Sequence, residues 1–225
     1  MVLQDAPIEI TQPPVGGRIE RRKARTRARL LAAARELFAK RGLEGTAIAD
    51  IAENADVATG SFYNYFATKQ ELLEALLEDE LSRQLELLQA RQAQTEDVAE
   101  KISIAHRHLV RVAQTDPSWG WLFVRLDLPY RAAWSTLGGA AERDLTDGIT
   151  LGRFDVADPA LALAASGGAL LAVIQAQLSG DLGPDADAAH AEGVLRSFGI
   201  APSEAAAIAN RPLPEIPSPG GSEEP

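Results

Sequence analysis

Short side chains that can form hydrogen bonds are concentrated around residue 60 of the chain. Thr59, Ser61 and Asn64 lie within six positions, and Tyr63 and Tyr65 add phenolic hydroxyls to the same stretch. Hydroxyl and amide groups of this size bond to phosphate oxygens and to the edges of bases. The chemistry that this stretch predicts is therefore nucleic-acid binding through hydrogen bonds.

A basic segment precedes the polar stretch. Residues 18–29 hold seven Lys and Arg side chains against one acidic residue, Glu20. The whole chain has a net charge of −10, but residues 1–72 carry +2 and residues 73–225 carry −12. Association with a polyanion depends on the local field, so the N-terminal part still suits DNA. The contacts expected from this segment are Arg22, Lys23, Arg25 and Arg27. The alternative is a solvated basic face that binds nothing.

Neither catalysis nor metal binding is predicted. His106 and His108 are two positions apart, which puts them on different faces of a helix, and no third ligand follows nearby. Ser, His and Asp occur without a nucleophile elbow, a phosphate loop or a metalloprotease motif. The chain has no cysteine, which excludes disulfides and fits a reducing cytoplasm. We therefore expect no enzyme, no metal and no cofactor, and a cytoplasmic location.

Helices must position the polar stretch. Apolar residues recur at helical spacing over residues 22–41, and Gly42 is a suitable end. Thr46 is a suitable N-cap for a short helix, and a turn at residues 54–57 leads to a second short helix at about residues 58–65. Two short helices joined by a four-residue turn form a helix-turn-helix.

The segment TAIADIAENADVATGSFYNYFATKQEL resembles the DNA-binding region of the tetracycline-repressor (TetR) family of transcriptional regulators. With the basic first helix, the resemblance covers about residues 22–76. It implies that Thr46 caps the first short helix near a phosphate and that Lys69 meets the DNA backbone. It also implies that Phe62 and Phe66 anchor the recognition helix, for which an ordinary packed core is the alternative. The remaining DNA contacts that it implies are Thr59, Gly60, Ser61, Tyr63 and Tyr65.

Three positions depart from the family pattern. Asp56 stands where the family usually has glycine, although aspartate tolerates a left-handed backbone. Ala58 stands where a capping serine is common, and Ala49 where some members read a base. We therefore expect specificity to depend on residues 59–64, including Asn64, and on the basic segment.

All three tryptophans fall within residues 116–134. Either they form a packed core between helices, or they line a small-molecule cavity. The family resemblance favours a cavity. The lining residues predicted on this basis are His106, Trp119, Trp121, Phe123, Arg125, Tyr130 and Trp134.

Residues 158–180 are too apolar for an exposed helix and contain small residues that permit close helix contact. Burial inside one subunit is one explanation. A four-helix dimer interface, formed together with residues 185–198, is the other, and the resemblance favours it. The interface residues predicted on this basis are Leu163, Gly167, Leu170, Leu171, Ile174, Leu178 and Val194.

The sequence thus predicts an all-α fold with an N-terminal three-helix, helix-turn-helix DNA-binding domain and a larger C-terminal helical domain for ligand binding and dimerisation. The predicted divisions are a disordered leader (1–20), the DNA-binding domain (21–67), the ligand-binding and dimerisation domain (68–209) and a disordered tail (210–225). No membrane span is expected, because no uninterrupted apolar run reaches about 18 residues.

The function that the resemblance implies is a ligand-responsive regulator that binds a near-palindromic operator in double-stranded DNA as a homodimer. We expect a repressor that a small apolar or amphipathic effector releases. One alternative is a helical small-molecule-binding protein whose basic segment meets RNA or another acidic partner. A helical enzyme built around residues 119–134 is the other, but no set of residues supports turnover.

Overall fold

The computed structural model describes residues 17–125 and 138–215, and these residues form helices and loops without a strand. The helices are α1 (Arg18–Arg41), α2 (Ile48–Asn54), α3 (Thr59–Phe62), α4 (Lys69–Gln92), α5 (Val98–Thr115), α6 (Pro117–Arg125), α7 (Gly139–Thr150), α8 (Pro159–Leu178), α9 (Ala186–Ser197) and α10 (Pro202–Ala209). The all-α prediction is confirmed.

Helix α1 is longer than the sequence predicted. It begins at Arg18, so residues 18–20 are helical and do not belong to a disordered leader. Its first half is exposed, whereas its second half buries the expected apolar stripe, which includes Leu30 and Phe38. Gly42 ends the helix at a φ of 70°, a left-handed conformation that favours glycine.

The turn between α2 and α3 has the helix-turn-helix geometry that the sequence predicts. Asp56 has a φ of 51°, so an aspartate takes the left-handed position where the family usually has glycine. The backbone N–H of Val57 donates to the carbonyl of Ala52 at 2.9 Å, and Ala52 is fully buried at the elbow. Phe62 and Phe66 are also buried, as both the anchor role and an ordinary packed core require.

The DNA-binding region and the C-terminal region share one hydrophobic core. It runs from Leu30 in α1 through Leu73 in α4 and Trp119 in α6 to Ile174 in α8. A second cluster joins the start of α5 to α7, α9 and α10. The boundary predicted between residues 67 and 68 therefore divides the sequence but not the packing, and α1 is in direct contact with the domain that carries the cavity.

Residues 210–215, predicted as the start of a disordered tail, make specific contacts. The carbonyl of Arg211 accepts a hydrogen bond from Arg107 Nη1 at 2.6 Å. The guanidinium of Arg211 pairs with Glu100 at 2.7 Å. The predicted boundary at residue 210 was therefore too early.

Helix α8 has an unusual apolar surface. By length and composition alone it could cross a membrane, yet only 17% of its most apolar stretch is buried within the chain. Among the described residues it is the one helix with this property. A helix that another subunit covers can have the same length and composition, so these properties are weak evidence for a membrane span. The exposed apolar face of α8 is also typical of a protein–protein contact.

Candidate DNA-binding surface and effector cavity

The exposed face of α3 and of the turn after it carries the polar residues that the sequence predicted. Thr59, Gly60, Tyr63 and Asn64 are exposed, and Tyr63 has 57% of its surface accessible. Phe62 lies on the opposite face and is fully buried. The helix therefore keeps its apolar ring inside and leaves its hydrogen-bonding groups free for a partner.

An open groove separates the first half of α1 from the recognition helix. Ser61, Asn64 and Tyr65 line its recognition-helix side. The basic residues that line it are Arg18, Arg21, Arg22, Lys23, Arg25 and Arg29. The groove thus brings together the basic segment and the polar stretch, which the sequence showed as separate features. Arg27 does not line the groove, because its guanidinium lies 5.4 Å from the centre of the Phe66 ring.

Gly60 has no packing reason to be glycine inside the chain. A Cβ atom placed on it would meet no atom within 4 Å, and its φ is not positive. Within α3, alanine would be the better helix former. The space beside Gly60 is thus open to a group from outside the subunit.

Thr46 and Lys69 are not placed as the resemblance implied. The N-cap of α2 is Ala47, so the prediction that Thr46 caps this helix was wrong. The Thr46 hydroxyl is buried and donates to the carbonyl of Gly42 at 2.8 Å. Lys69 Nζ donates to the carbonyls of Leu43 at 2.5 Å and Thr46 at 2.9 Å, so two of its three protons close the loop between α1 and α2.

The C-terminal region contains a cavity of about 100 Å³ between α4, α5, α6, α7 and α8. Its wall is mostly apolar, with Leu88, Ile102, Leu109 and Phe123 among the lining side chains. Four polar side chains also line it, namely Gln92, His106, Asp144 and Ser166. An apolar chamber with a few converging polar groups is the usual form of a small-molecule site.

Only some of the predicted lining residues lie at the cavity wall. His106 and Phe123 line the cavity. Trp119 lies behind this wall, almost fully buried, with its ring stacked on Phe123 at 4.8 Å between centroids. Trp121 is half-buried and is not among the lining residues. The side chain of Arg125, together with Tyr130 and Trp134, falls outside the described residues.

The sequence reasoning missed the polar residues of the cavity. Gln92 Nε2 donates to Asp144 Oδ2 at 3.0 Å and to the carbonyl of Lys101 at 3.0 Å. Burial raises the pKa of the Asp144 carboxyl. Gln92 and Asp144 are 52 positions apart and belong to no motif, so only the folded arrangement of α4 and α7 shows that they meet.

His106 connects the cavity to α9. Its Nδ1 lies 2.9 Å from His190 Nε2, so one ring donates a hydrogen bond to the other. Burial, and then the neighbouring His190, lower the pKa of His106 to about 3, and burial lowers that of His190 to about 4. His108 points elsewhere and bonds to Gln84 at 3.1 Å. Within the described ranges, no three His, Cys, Asp or Glu residues are grouped as a metal site.

The predicted dimer residues face the inside of the subunit. Leu163, Gly167, Leu170 and Leu171 line the cavity, and Ile174 and Val194 are core residues. Leu178 lies against Gly120 of α6. The choice of face was therefore wrong. The outward face of α8 instead exposes a stripe of mostly small residues, namely Leu161, Ala165, Gly168, Ala169, Ala172 and Gln175.

Comparison with known families agrees with this geometry. The family described as "Bacterial regulatory proteins, tetR family" matches residues 30–76. A second, described as "Tetracyclin repressor-like, C-terminal domain", matches residues 97–211, which is more than half of the chain. The chain belongs to the TetR family. It is therefore a transcriptional regulator and not an enzyme.

Curated TetR-family relatives match over part of the chain. The HTH-type transcriptional regulator TtgR of Pseudomonas putida is 40% identical over 87 residues, which are 39% of this chain and 40% of TtgR. The repressor KstR2 of Mycobacterium tuberculosis is 45% identical over 51 residues, 23% of this chain and 26% of KstR2. The chain thus aligns with less than half of the length of these relatives.

Solved TetR-family structures match over a greater length. RolR in complex with resorcinol is 40% identical to this chain and has a TM-score of 0.73. The match covers 89% of this chain and 100% of the RolR chain. FadR from Bacillus subtilis in complex with stearoyl-CoA is 22% identical and has a TM-score of 0.65. The match covers 77% of this chain and 99% of the FadR chain. At that identity, FadR shows the fold alone.

Proposed function

We propose that this TetR-family regulator is a repressor that binds a near-palindromic operator as a homodimer and leaves it when a small hydroxylated aromatic compound enters the cavity. The observation that carries the DNA part is the basic groove beside the exposed face of α3. Each subunit inserts α3 into a major groove, so the two recognition helices must lie about 34–36 Å apart or a multiple of this distance.

The residues of the DNA-binding surface divide into two groups. Thr59 and Asn64 read base edges, and Gly60 lets the backbone approach a phosphate. Tyr63, Ser61 and Tyr65 add hydroxyls around them. Arg22, Lys23 and Arg25 neutralise phosphates, which makes binding strongly salt-dependent. This segment is helical from Arg18, and a helix about 10 Å wide does not fit a minor groove about 6 Å wide, so we assign it to the phosphate backbone.

The proposed dimer forms through the outward stripe of α8. Small residues at Ala165, Gly168 and Ala172 let a partner helix approach closely, and the stripe is apolar enough to need cover. A two-fold axis would place the same stripe of a second copy against it. The outward side of α9 contributes further small, exposed residues at Ala189 and Gly193, so four helices meet at the interface.

The proposed effector class rests on the cavity and on RolR. RolR binds resorcinol, a small aromatic ring with two hydroxyls. The cavity offers apolar side chains to a ring, and Asp144, Gln92 and His106 to hydroxyl groups. Asp144 accepts a hydrogen bond from a phenol, and the Gln92 amide is held so that its oxygen is the remaining acceptor. No Lys or Arg is among its described lining residues, which disfavours an anionic effector.

Release from DNA requires the effector to bind two conformations of the dimer unequally. Phe123 is the wall residue that links the cavity to the DNA-binding region. It stacks on Trp119, whose backbone N–H donates to Asp116 Oδ1 at 3.1 Å, and Asp116 pairs with Arg35 of α1. A ring that displaces Phe123 would therefore move α6 against α1 and change the spacing of the two recognition helices.

The test uses the full chain and two probes. Duplexes would be selected from a random DNA pool, and binding of the selected duplex would be measured by mobility shift with and without resorcinol. We expect a near-palindromic sequence, a steep salt dependence and release by resorcinol or a related phenol. Stronger binding to RNA than to any duplex would contradict the DNA function. Retention on DNA with every phenol tested would contradict the effector class alone.

A further inference from the structure

We infer that Arg29 does not contact DNA but positions the recognition helix and neutralises Asp56 beside it. This inference rests on the proposed DNA-binding function. Arg29 belongs to the basic segment by sequence, and nothing in its type separates it from Arg22 or Arg25. The structure separates it, because its guanidinium turns to the chain's own backbone.

The contacts of Arg29 are concentrated on the turn between α2 and α3. Its Nη2 donates to the carbonyl of Ala55, to the carbonyl of Asp56 at 2.6 Å and to Asp56 Oδ2 at 2.9 Å. The carbonyls at the end of a helix lack partners within it and carry partial negative charge. The Arg29 guanidinium bonds to the carbonyl of Ala55, the C-cap of α2, and to that of Asp56 in the turn, and so fixes the end of α2 to α1.

The recognition helix depends on this turn for its orientation. Asp56 is a non-glycine residue in a left-handed conformation, which is stable only where the surroundings hold it. Ala58 is the N-cap of α3 and gives no side-chain hydrogen bond. Because α3 has only four residues and no side-chain cap, the turn and the buried Phe62 set its direction.

Asp56 also presents a charge problem at the DNA-binding surface. Its side chain is 98% exposed in the pair with Arg29, and it lines the same groove as the basic residues of α1. An unpaired carboxylate there would repel a phosphate strand. An exposed ion pair contributes little to stability, so the main effect of this pair is expected on DNA binding.

The experiment compares Arg29→Ala with Arg22→Ala on the selected duplex, each with and without Asp56→Asn. Arg22 is the matched control, because it is an exposed arginine of the same helix and lines the same groove. Asparagine removes the charge at position 56 and still tolerates the left-handed backbone. Affinity and its salt dependence would be measured for each variant, together with a thermal melting curve to show that it folds.

We expect Arg29→Ala to weaken DNA binding about tenfold with little change in its salt dependence. Adding Asp56→Asn to this variant should raise its affinity again by about threefold. We expect Arg22→Ala to reduce the slope of log affinity against log salt by the amount that one phosphate contact contributes. Asp56→Asn should not recover this loss. An equal loss of slope in both arginine variants, without rescue, would make Arg29 a phosphate contact and overturn the inference. Unchanged binding by Arg29→Ala would overturn it too.

Arg29→Lys provides a second test of the inference if Arg29→Ala does not fold. Lysine retains the positive charge, but its ammonium lies on a different, flexible stem and does not reproduce the planar guanidinium that reaches the turn. Weaker binding by Arg29→Lys, at an unchanged salt slope, supports the positioning role, and full binding contradicts it. Failure of the wild-type chain to bind any selected duplex would contradict the proposed function instead.

Discussion

Arg35 of α1 and Asp116 at the start of α6 form an ion pair that joins the DNA-binding region to the cavity wall. Arg35 also lies 2.8 Å from Glu80 of α4, which in turn pairs with Arg83. Asp116 accepts a hydrogen bond from the backbone N–H of Trp119 in the first turn of α6. One guanidinium therefore holds α1, α4 and α6 together, and it does so beside the aromatic stack that ends at the cavity.

We predict that Arg35→Ala lowers the free energy of unfolding by about 1–2 kcal/mol, because two partly buried carboxylates lose a charged partner. The same variant should bind the selected duplex but respond less to the effector, since α6 is no longer tied to α1. Urea denaturation at fixed protein concentration and mobility shift check the two effects. Lys40→Ala is the control, because its pair with Glu36 is exposed and its loss should leave stability almost unchanged.

Gly60→Ala should separate folding from DNA binding. The added methyl group meets nothing within the chain, and alanine favours a helix, so stability should stay the same or rise by up to about 1 kcal/mol. DNA affinity should fall at least about tenfold, because the methyl group meets the DNA backbone. Gly183→Ala is the control, since its Cβ is also in open space and it is far along the chain from α3. Undiminished affinity in Gly60→Ala would rule out close backbone approach.

The sequence predicted those features that depend on local pattern. Phe62 and Phe66 are buried as expected, because large apolar rings usually pack inside a subunit. Thr46 was misjudged because a threonine before a helix suits a cap, whereas here its hydroxyl is turned into the α1–α2 loop. Local sequence does not show whether such a hydroxyl accepts a hydrogen bond from a helix N–H or donates one to a loop carbonyl.

The face of α8 was misjudged for a related reason. The helix is apolar or small on nearly every side, so its sequence contains no polar stripe to mark the surface. The large residues Leu170 and Ile174 were chosen for the interface, but they fill the core, and the small residues face outward. The partners of Asp144 were beyond prediction too, because its contact with Gln92 depends on how α7 packs against α4.

The outward stripe gives a direct test of dimerisation. We predict that Ala172→Glu converts the dimer to a monomer, because it buries a charge without a partner in an apolar interface. Affinity for the selected duplex should fall at least about tenfold, since two linked subunits bind two half-sites together. Sedimentation equilibrium measures the first effect and mobility shift the second. Ala201→Glu, at an exposed position before α10, should change neither. A dimeric Ala172→Glu variant would place the interface elsewhere.

Asp144→Asn should affect effector binding alone. The carboxylate is the strongest acceptor on the cavity wall, so its replacement should weaken binding of resorcinol about tenfold or more. DNA binding without effector should be unchanged, because Asp144 makes no contact with α1 or α3 in the described structure. Titration calorimetry with resorcinol and mobility shift measure the two effects. Asp147→Asn is the matched control, one turn along α7, exposed and absent from the cavity wall. Equal effects of both variants would exclude a direct contact.

Stability should fall as the pH falls from about 6.5 to about 4, because all three histidines of the chain are held neutral. The pKa is lowered to about 3 for His106 and to about 4 for His108 and His190, so in this window the unfolded chain binds protons that the folded chain does not. Each neutral histidine then contributes a slope of up to about 1.4 kcal/mol per pH unit. Asp144, whose pKa is raised, acts in the opposite sense, whereas Asp97 and Asp116, whose pKa is lowered, add to the effect of the histidines near the acid end of this window.

Urea denaturation across this pH range, at one protein concentration, measures the slope. His108→Gln is the informative variant, because glutamine can keep a hydrogen bond to Gln84 but does not titrate. It should reduce the slope by about a third, whatever its effect on stability at neutral pH. A wild-type slope near zero between about pH 6.5 and about pH 4 would mean that the histidines are protonated in the folded state. The His106–His190 contact would then have to accommodate a charge beside the cavity.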